Sequence, residues 1–464
     1  MSFGRAPPFV TESRGGFVRV ADISDGVIGF FWASYGKRIN FRRRPESGFV
    51  KINELGQLEV QTLEESPYDS FESDPPEGMP TAVFASTPKG GLLLVDLFKK
   101  GYRTSWGEAN ASTRSFTSQA AILGTGGQMS DPRLSYLSFF IPGVHGWAGV
   151  RTVKETRTKG ESGRIRGVDI SLKSAEPKVV RVTGALTFEL SWHWEVSGAN
   201  GRKIVYAPVS IAMRTTRPKS YRELAAPLHQ VQDLINFAFS GFVAADGGRA
   251  HLATDPAPRT SPTVWDARLM AAPAGVKSPN SMTELPLFSL DSVGGADGIR
   301  RWMRLYAEHP RAIRPFVSRH RIGPMSPEVQ LMEVAAGMEY WVACHRRSTE
   351  WARDGRIPFA IANRVGSSFC DWVQEPEKWD AEFWSTYNAL KHEPNYKPDR
   401  YAVSVMAQSG AMLLAASILN RMGGSKKAGV SMFASHRLYD LGQDVNACIA
   451  NSKPRGSKRR GKRR

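Results

Sequence analysis

The sequence has few cysteines, and they are scattered. Cys344, Cys370 and Cys448 are the only ones among 464 residues. No two of them have the spacing of a zinc site or a redox pair, and this pattern excludes a small secreted domain held together by disulfides. We therefore expect three free, buried thiols in a protein of a reducing compartment.

Long apolar runs are also scarce. The opening segment MSFGRAPPFV has no extended apolar core, so we expect no secretory signal. The most apolar stretch, YAVSVMAQSGAMLLAASILN, includes Gln408, Ser409 and Gly410. These residues favour a buried amphipathic helix over a membrane span. We expect a soluble cytoplasmic protein without membrane contact.

Several enzyme motifs are missing. The sequence has no His-Glu-x-x-His, no Gly-x-Ser-x-Gly and no Cys-x-x-Cys. The segment ILGTGGQMS lacks the lysine of a phosphate-binding loop. Most histidines are isolated, and His345, beside Arg346 and Arg347, is better explained as part of a basic helix face than as a metal ligand. We expect no metal and no organic cofactor.

Acidic residues are outnumbered, and the excess of positive charge is greatest at one end. The chain has 62 Lys and Arg against 44 Asp and Glu, a net charge of +18, which favours a polyanionic partner. The final segment KPRGSKRRGKRR should be a mobile arm that binds phosphates without specificity, with a solubilising tail as the alternative. Its basic residues are Lys453, Arg455, Lys458, Arg459, Arg460, Lys462, Arg463 and Arg464.

One segment has the opposite charge. Residues 63–80, LEESPYDSFESDPPEGMP, contain carboxylates and prolines but no basic residue. This composition is typical of a solvated loop, and docking against the basic arm or a partner is the alternative.

The first two hundred residues favour β-strands. In GALTFELSWHWEVSG, alternate residues from Leu186 to Val196 share one face. The Asn200-Gly201 pair predicts a turn, and KIVYAPVSIAMRTT then alternates again, so we predict a hairpin. The shorter runs TAVFAS, GLLLVDLF, YLSFFIPG and RIRGVDISL add further strands. Together they predict an antiparallel sheet, as a sandwich or an open barrel.

After Pro218 the spacing of apolar residues becomes helical, apart from a Pro- and Gly-rich stretch from about Ala244 to Gly298. Ser326 and Pro327 are typical of a helix start, and the apolar helix over 400–422 should end at the following glycine pair. We predict an α+β protein. Its parts are a β-rich domain over 15–217, a helical connector and loop over 218–298, an all-α bundle over 299–450 and a basic tail over 451–464.

The stretch WSTYNALKHEPN, residues 384–395, places a histidine at a helix end. Pro394 ends the helix, so His392 lies in its last turn, with Asn388 one turn earlier on the same face. The negative end of the helix favours a protonated imidazole. Such an imidazole can take the proton of a ribose 2′-hydroxyl or give one to a leaving oxygen. A lone histidine at a helix end is more often structural, so the residues alone leave both interpretations open.

The order of segments resembles that of ApeA-type abortive-infection proteins of bacteria, which join a β-rich N-terminal domain to a HEPN helical domain. The similar N-terminal stretches are SGFVKINELGQLEVQTL, STPKGGLLLVDLF, QAAILG and YLSFFIPGVHGWAG. The similar C-terminal stretches are GIRRWMRLYAEHPRAI, EVQLMEVAAGMEYWVACHRR and STYNALKH. The second of these includes Glu339, in the place of a buried glutamate. The last resembles the HEPN signature, in which an arginine, usually followed by asparagine, precedes a histidine by four intervening residues.

The resemblance implies metal-independent cleavage of RNA such as tRNA in antiphage defence. It also implies a homodimer formed through the helical domain, with a phage-derived trigger at the β domain. It makes His392 the catalytic residue and Asn388 the residue that orients it, whereas Tyr387 stands in the arginine position. Lys391, four residues after Tyr387 and so on the same helix face, could substitute as a point charge, and Arg400 is the other cation that could. The alternative is a catalytically degenerate module that binds RNA or senses a protein.

Overall fold

The computed structural model describes residues 23–452, except 37, 43, 55, 65–79, 105–111, 126–130, 151, 200–202, 255–260, 280–283 and 346–356. The chain divides into two compact units, Met1–Leu285 and Pro286–Arg464. We call them the β unit and the helical unit. The predicted α+β class, an antiparallel β-rich part followed by helices, is confirmed. Most of the acidic segment and all of the basic arm lie outside the described residues.

The strands of the β unit are β1 Val27–Ser34, β2 Glu46–Ile52, β3 Leu58–Glu64, β4 Ala82–Thr87, β5 Gly90–Thr104, β6 Ser112–Leu123, β7 Leu134–Ile141, β8 Val153–Lys159, β9 Ile165–Leu172, β10 Lys178–Arg181, β11 Leu186–Trp192, β12 Glu195–Ser197, β13 Ile204–Tyr206, β14 Val209–Lys219, β15 Gly247–Leu252 and β16 Thr263–Asp266. Its helices are α1 His145–Ala148, α2 Tyr221–Ala238 and α3 Ala267–Met270.

Six of these strands close into a barrel. They follow the order β6-β3-β2-β1-β4-β5, and β5 pairs back onto β6. Inward-facing residues such as Phe31, Val60, Leu94 and Phe116 fill the interior. The expectation of a sandwich or an open barrel is therefore corrected. The ring closes because β4 pairs with β1 and β6 with β3, two pairings between strands that are not consecutive in the sequence.

The sheet continues beyond the barrel because β6 is long. Its first part pairs with β3, and its last four residues pair with β16 on the same side. From β16 the order is β15, β7, β14, β11 and β10. Helix α2 packs against β7 and β14, where Phe139 and Ile211 are fully buried, as is Phe188 on the neighbouring β11.

Two predicted features of this region need correction. The stretch from Ala244 to Gly298 is not a connector throughout, because it contains β15 and β16, which are inner strands of the sheet. The two strands of the predicted hairpin are β11 and β14, which pair with each other. Between them in the sequence, β12 and β13 form a separate short ladder. His193 and Trp194 interrupt the first strand, which leaves Trp194 41% exposed.

A buried carboxylate joins α2 to α3. Asp266 is 1% exposed and accepts hydrogen bonds from the Tyr221 hydroxyl and from His229 Nε2, the latter at 2.9 Å. Its other oxygen accepts from the backbone N–H of Arg268 at 2.7 Å and of Leu269 at 3.2 Å, which caps α3. Asp266 thus fixes the end of β16 against α2.

The helices of the second unit are α4 Gly295–Glu308, α5 Pro310–Val317, α6 Arg319–Ile322, α7 Pro327–Cys344, α8 Ile357–Val365, α9 Ser367–Val373, α10 Pro376–His392, α11 Arg400–Gly423, α12 Lys427–Phe433 and α13 Tyr439–Asn451. Helix α11 is central and packs against α7, α8, α10, α12 and α13. Among the helices that the structure describes, α11 alone is long and apolar enough to span a membrane, and 83% of its apolar window is buried inside the protein. That burial is typical of a core helix.

The predicted helix boundaries are confirmed at several points. The Ser326 side chain accepts a hydrogen bond from the Val329 N–H at the start of α7, with Pro327 in the first turn. Helix α11 ends at Gly423, and the capping residue Gly424 has a φ of 67°, which favours glycine. The prediction of buried thiols is wrong. Cys344, at the last position of α7, is exposed, and the other two cysteines are half-buried.

We expect Gly410→Val to destabilise the helical unit by roughly 2–3 kcal/mol, because overpacking a filled core forces its neighbours to move. A Cβ at Gly410 would lie 2.4 Å from Cε2 of the buried Phe383. Urea denaturation monitored by circular dichroism measures the change. The control is Gln408→Ala, on the half-exposed side of α11. If Gly410→Val and wild type have the same free energy of unfolding, the packing around Gly410 has room for a larger side chain.

Candidate functional site

The candidate site lies at the end of α10, where the local sequence decides which side chains meet solvent. Trp379, Phe383 and Tyr387 recur at helical spacing and are buried. The helix ends at His392, where the N–H of Glu393 donates to the Ala389 carbonyl and Pro394 follows. His392 is therefore in the last turn, as predicted.

His392 itself is exposed, and its ring is open to solvent. Within the described part of the chain it has no hydrogen-bond or ion-pair partner. Asn388, one turn earlier, is half-buried. Both ring nitrogens of His392 are thus available to a ligand, and the Asn388 amide lies on the adjacent helix surface.

Tyr387 and Lys391 form a fixed pair beside this histidine. Tyr387 is 3% exposed, and its ring packs 5.0 Å from the ring of Trp384, measured between centroids. Lys391 Nζ donates a hydrogen bond to the Tyr387 hydroxyl at 3.2 Å and lies 5.2 Å from the centroid of its ring. The ammonium is therefore held over the aromatic face by both a hydrogen bond and a cation–π contact.

The surroundings of Lys391 favour its charged form. The hydrogen bond to Tyr387 raises the pKa of Lys391, and the carboxylate of Glu339 on α7 raises it further. Glu339 is half-buried, not buried as the resemblance implied. Sequence reasoning placed Lys391 and Tyr387 on one helix face but did not connect either to Glu339, since α7 and α10 are distant in sequence.

Arg400, the second cation that sequence reasoning offered, lies elsewhere. It is the first residue of α11, 76% exposed, and its Nε is 3.6 Å from a carboxylate oxygen of Glu328 on α7. The structure thus groups Tyr387, Asn388, Lys391 and His392 on one helix end and gives Arg400 a separate ion pair.

A second group of histidines lies at the end of α7. His345 Nδ1 donates to the Trp341 carbonyl at 2.6 Å, and its Nε2 accepts from the Arg421 guanidinium. Burial lowers the pKa of His345. The His309 and His345 ring centroids are 6.2 Å apart. These contacts make His345 a helix-end residue; Arg346 and Arg347 lie outside the described residues, so the basic helix face stays a prediction.

No group of three or more His, Cys, Asp or Glu side chains that could hold a metal ion occurs among the residues that the structure describes. The groups that the described end of α10 presents are an imidazole, an amide, a phenol and an ammonium.

The comparisons with known proteins identify the family. The family model described as ApeA N-terminal domain 1 matches residues 26–302, more than half of the chain. The matched range contains the barrel, the extended sheet and α2. No curated protein and no solved structure matches the chain. The helices that follow are consistent with a HEPN domain. The chain therefore belongs to the ApeA N-terminal domain 1 family and is an ApeA-type protein of antiphage defence.

Proposed function

We propose that the helical unit is a HEPN-type ribonuclease that cuts RNA such as tRNA, without a metal ion, during abortive infection. The observation that supports this most is an exposed imidazole, His392, on the same helix end as a fixed ammonium, Lys391. RNA cleavage is an activity that an imidazole beside a fixed cation can perform.

The proposed reaction is an internal transesterification. The ribose 2′-oxygen forms a bond to phosphorus while the bond from phosphorus to the 5′-oxygen breaks. His392 takes the proton of the 2′-hydroxyl or, in its protonated form, gives one to the leaving 5′-oxygen. Asn388 lies one turn away and would orient the imidazole or the RNA by hydrogen bonding.

Lys391 is the cation that would replace the family's arginine. Negative charge builds on the phosphorane oxygens in the transition state, and a fixed cation nearby stabilises it. Tyr387 supplies no cation, but its ring and hydroxyl hold the Lys391 ammonium in one place. An ammonium is a point charge without the planar fork of a guanidinium, so we expect slower cleavage than an arginine would support.

One chain offers one such imidazole, whereas the reaction uses both a base and an acid. We therefore propose a homodimer through the helical unit that brings two copies of His392 to one RNA. In the same account, the β unit recognises a phage-derived trigger.

Incubating the purified protein with total tRNA in EDTA tests the proposal. Fragments on a denaturing gel are expected, and intact tRNA would refute it.

We expect Lys391→Met to slow tRNA cleavage roughly tenfold to a hundredfold, because a fixed charge next to the reacting phosphate is lost. The stem of the side chain remains, and Lys391 is exposed, so the melting temperature should not change. Single-turnover cleavage measures the effect, with Lys397→Met, an exposed lysine outside the helix, as the control. An unchanged rate in Lys391→Met would remove Lys391 from the site.

We expect deletion of residues 453–464 to weaken RNA binding and to flatten its salt dependence. The arm supplies eight positive charges, and binding through such charges depends on the release of counterions. Fluorescence anisotropy of labelled tRNA across a salt series measures both quantities. If affinity and slope are those of the full chain, the arm only keeps the protein in solution.

One observation favours a second function, RNA binding without cleavage. Tyr387 occupies the arginine position as a buried, packed residue, so no guanidinium can reach a phosphate from there. A degenerate site of this kind would hold RNA or sense a protein. Salt-sensitive binding of tRNA that remains uncut in EDTA would favour this function over the ribonuclease.

A further inference from the structure

The extended sheet of the β unit has a second face, which the proposed cleavage does not use. Along β7, β11, β14 and β15, apolar residues that pack toward α2 alternate with polar, aromatic and cationic ones. Arg214, Tyr136 and His251 are ladder neighbours in one row, and Ser138 and Arg249 are neighbours in the next. We call this surface the polar face; its principal residues are Tyr136, Phe140, Ser210, Arg214, Arg249 and His251.

On the polar face, guanidinium groups lie over aromatic rings. Arg214 Cζ is 4.9 Å from the centroid of the Tyr136 ring, and Arg249 Cζ is 5.5 Å from that of Phe140. The His251 ring lies 4.7 Å from the Tyr136 ring, at an interplanar angle of 34°. This layer presents π surfaces and cations together, the combination on which nucleic-acid bases stack in single-stranded complexes.

The two arginines differ in their surroundings. The Arg214 side chain is 56% exposed, with Nη2 3.5 Å from a carboxylate oxygen of Glu189. Arg249 is half-buried, and that burial lowers the pKa of its guanidinium, while Tyr136 and the Glu195 carboxylate act in the opposite direction. A cation that has lost part of its hydration gains most from a charge-assisted hydrogen bond to an anion. Arg249 is therefore the stronger candidate for contact with a phosphate.

A buried hydroxyl lies on the next row. Ser210 is 0% exposed, is paired with Phe140 across the ladder, and its Oγ has no hydrogen-bond partner among the described residues. Buried hydroxyls are ordinarily hydrogen-bonded, so an unpaired one indicates that the polar face accommodates a further polar group. This observation does not depend on the arrangement of the arginines.

We propose that the polar face binds a nucleotide unit, supplied either as a free nucleotide or as part of a single-stranded RNA. The base stacks on the layer formed by Arg214, Tyr136 and His251, and the phosphate contacts Arg249. His251 and Arg249 are two residues apart on β15, so the two subsites lie on adjacent rows roughly 7 Å apart, within the extent of one nucleotide. The site lies in the β unit and does not rest on the ribonuclease proposal.

The test uses the full chain carrying His392→Ala, so that RNA stays intact. Adenosine 5′-monophosphate is titrated by calorimetry, and fluorescein-labelled pentaadenylate is titrated by anisotropy. We expect binding that Arg249→Ala weakens about tenfold or more, since a charge-assisted contact is lost. The matched control is Arg157→Ala, an arginine that is 61% exposed on β8 and should leave affinity unchanged. Arg249→Lys keeps the positive charge but loses the planar guanidinium, so its affinity for the probes should lie between those of wild type and Arg249→Ala.

The two probes distinguish a free nucleotide from single-stranded RNA as the source of the bound nucleotide unit. Binding of the monophosphate in competition with the oligonucleotide supports a free nucleotide, whereas binding of the oligonucleotide alone, weakened by Arg249→Ala, supports RNA. Absence of binding by both probes at millimolar concentration overturns the inference. So does binding that Arg249→Ala leaves unchanged, which would place the RNA elsewhere on the chain. If Arg249→Ala does not fold, the exposed Arg214→Ala replaces it with the same outcomes. If the protein leaves tRNA uncut, the proposed ribonuclease function fails, but none of these binding results changes.

Discussion

His392→Ala is expected to lower the rate of tRNA cleavage by at least about a hundredfold, because general acid–base catalysis by a positioned side chain contributes that much or more. The side chain is exposed and has no partner among the described residues, so its loss should leave the fold and the melting temperature unchanged. Single-turnover cleavage of tRNA in EDTA measures the rate.

The matched control for His392→Ala is His436→Ala. His436 starts a short helical turn elsewhere in the helical unit, so the substitution also removes a single imidazole. Its cleavage rate should equal that of wild type. If His392→Ala cuts tRNA as fast as His436→Ala, the proposed role of His392 is wrong, even if the protein is a ribonuclease.

The largest expected loss of stability follows Asp266→Asn. The amide cannot accept all four hydrogen bonds that the buried carboxylate accepts from Tyr221, His229 and the first turn of α3. Removing the charged acceptor from a buried hydrogen-bond network of this kind costs roughly 3–5 kcal/mol. Urea denaturation at neutral pH measures the change, and the exposed Asp169→Asn on β9 should shift stability by less than about 0.5 kcal/mol.

The same carboxylate predicts a dependence on pH. Burial alone would raise the pKa of Asp266, but the charge and hydrogen bond of His229 hold the pKa below its ordinary value, together with hydrogen bonds from the Tyr221 hydroxyl and the Arg268 backbone N–H. The folded state therefore binds this proton less readily than the unfolded state does. Its stabilising effect is complete above about pH 4, the unfolded value, and is lost as the pH falls toward the folded pKa. The difference between wild type and Asp266→Asn should narrow below that pH. A constant difference would show that Asp266 does not titrate in this range.

Local sequence patterns predicted where strands and helices occur better than they predicted which strands pair with each other. The alternation from Leu186 and the apolar helix over 400–422 are properties of consecutive residues, and the structure contains both elements. Closure of the barrel depends on the pairing of β4 with β1 and of β6 with β3, which no local pattern contains. The strands β15 and β16 were missed because they are short and lie in a Gly- and Pro-rich stretch, where nonlocal pairing overrides weak propensity.

In the candidate site, too, contacts within one helix could be predicted from the sequence, whereas contacts between helices could not. The spacing of Tyr387 and Lys391 predicted that they share a helix face, and the hydrogen bond between them agrees. Glu339 and Glu328, which act on Lys391 and Arg400, belong to α7 and could be located only once α7 was packed against the later helices. Burial of the cysteines was mispredicted because residue type alone does not show that Cys344 ends a helix at the surface.

The most direct measurement is the chemistry of the fragment ends when the purified protein cuts tRNA in EDTA, read by mass spectrometry. Attack by the 2′-hydroxyl with imidazole as acid and base leaves a 2′,3′-cyclic phosphate on one fragment and a 5′-hydroxyl on the other, and a 2′-deoxy nucleotide at the cut position blocks the reaction. Fragments ending in 3′-hydroxyl and 5′-phosphate groups, or equal cutting of the 2′-deoxy substrate, would contradict the mechanism assigned to His392.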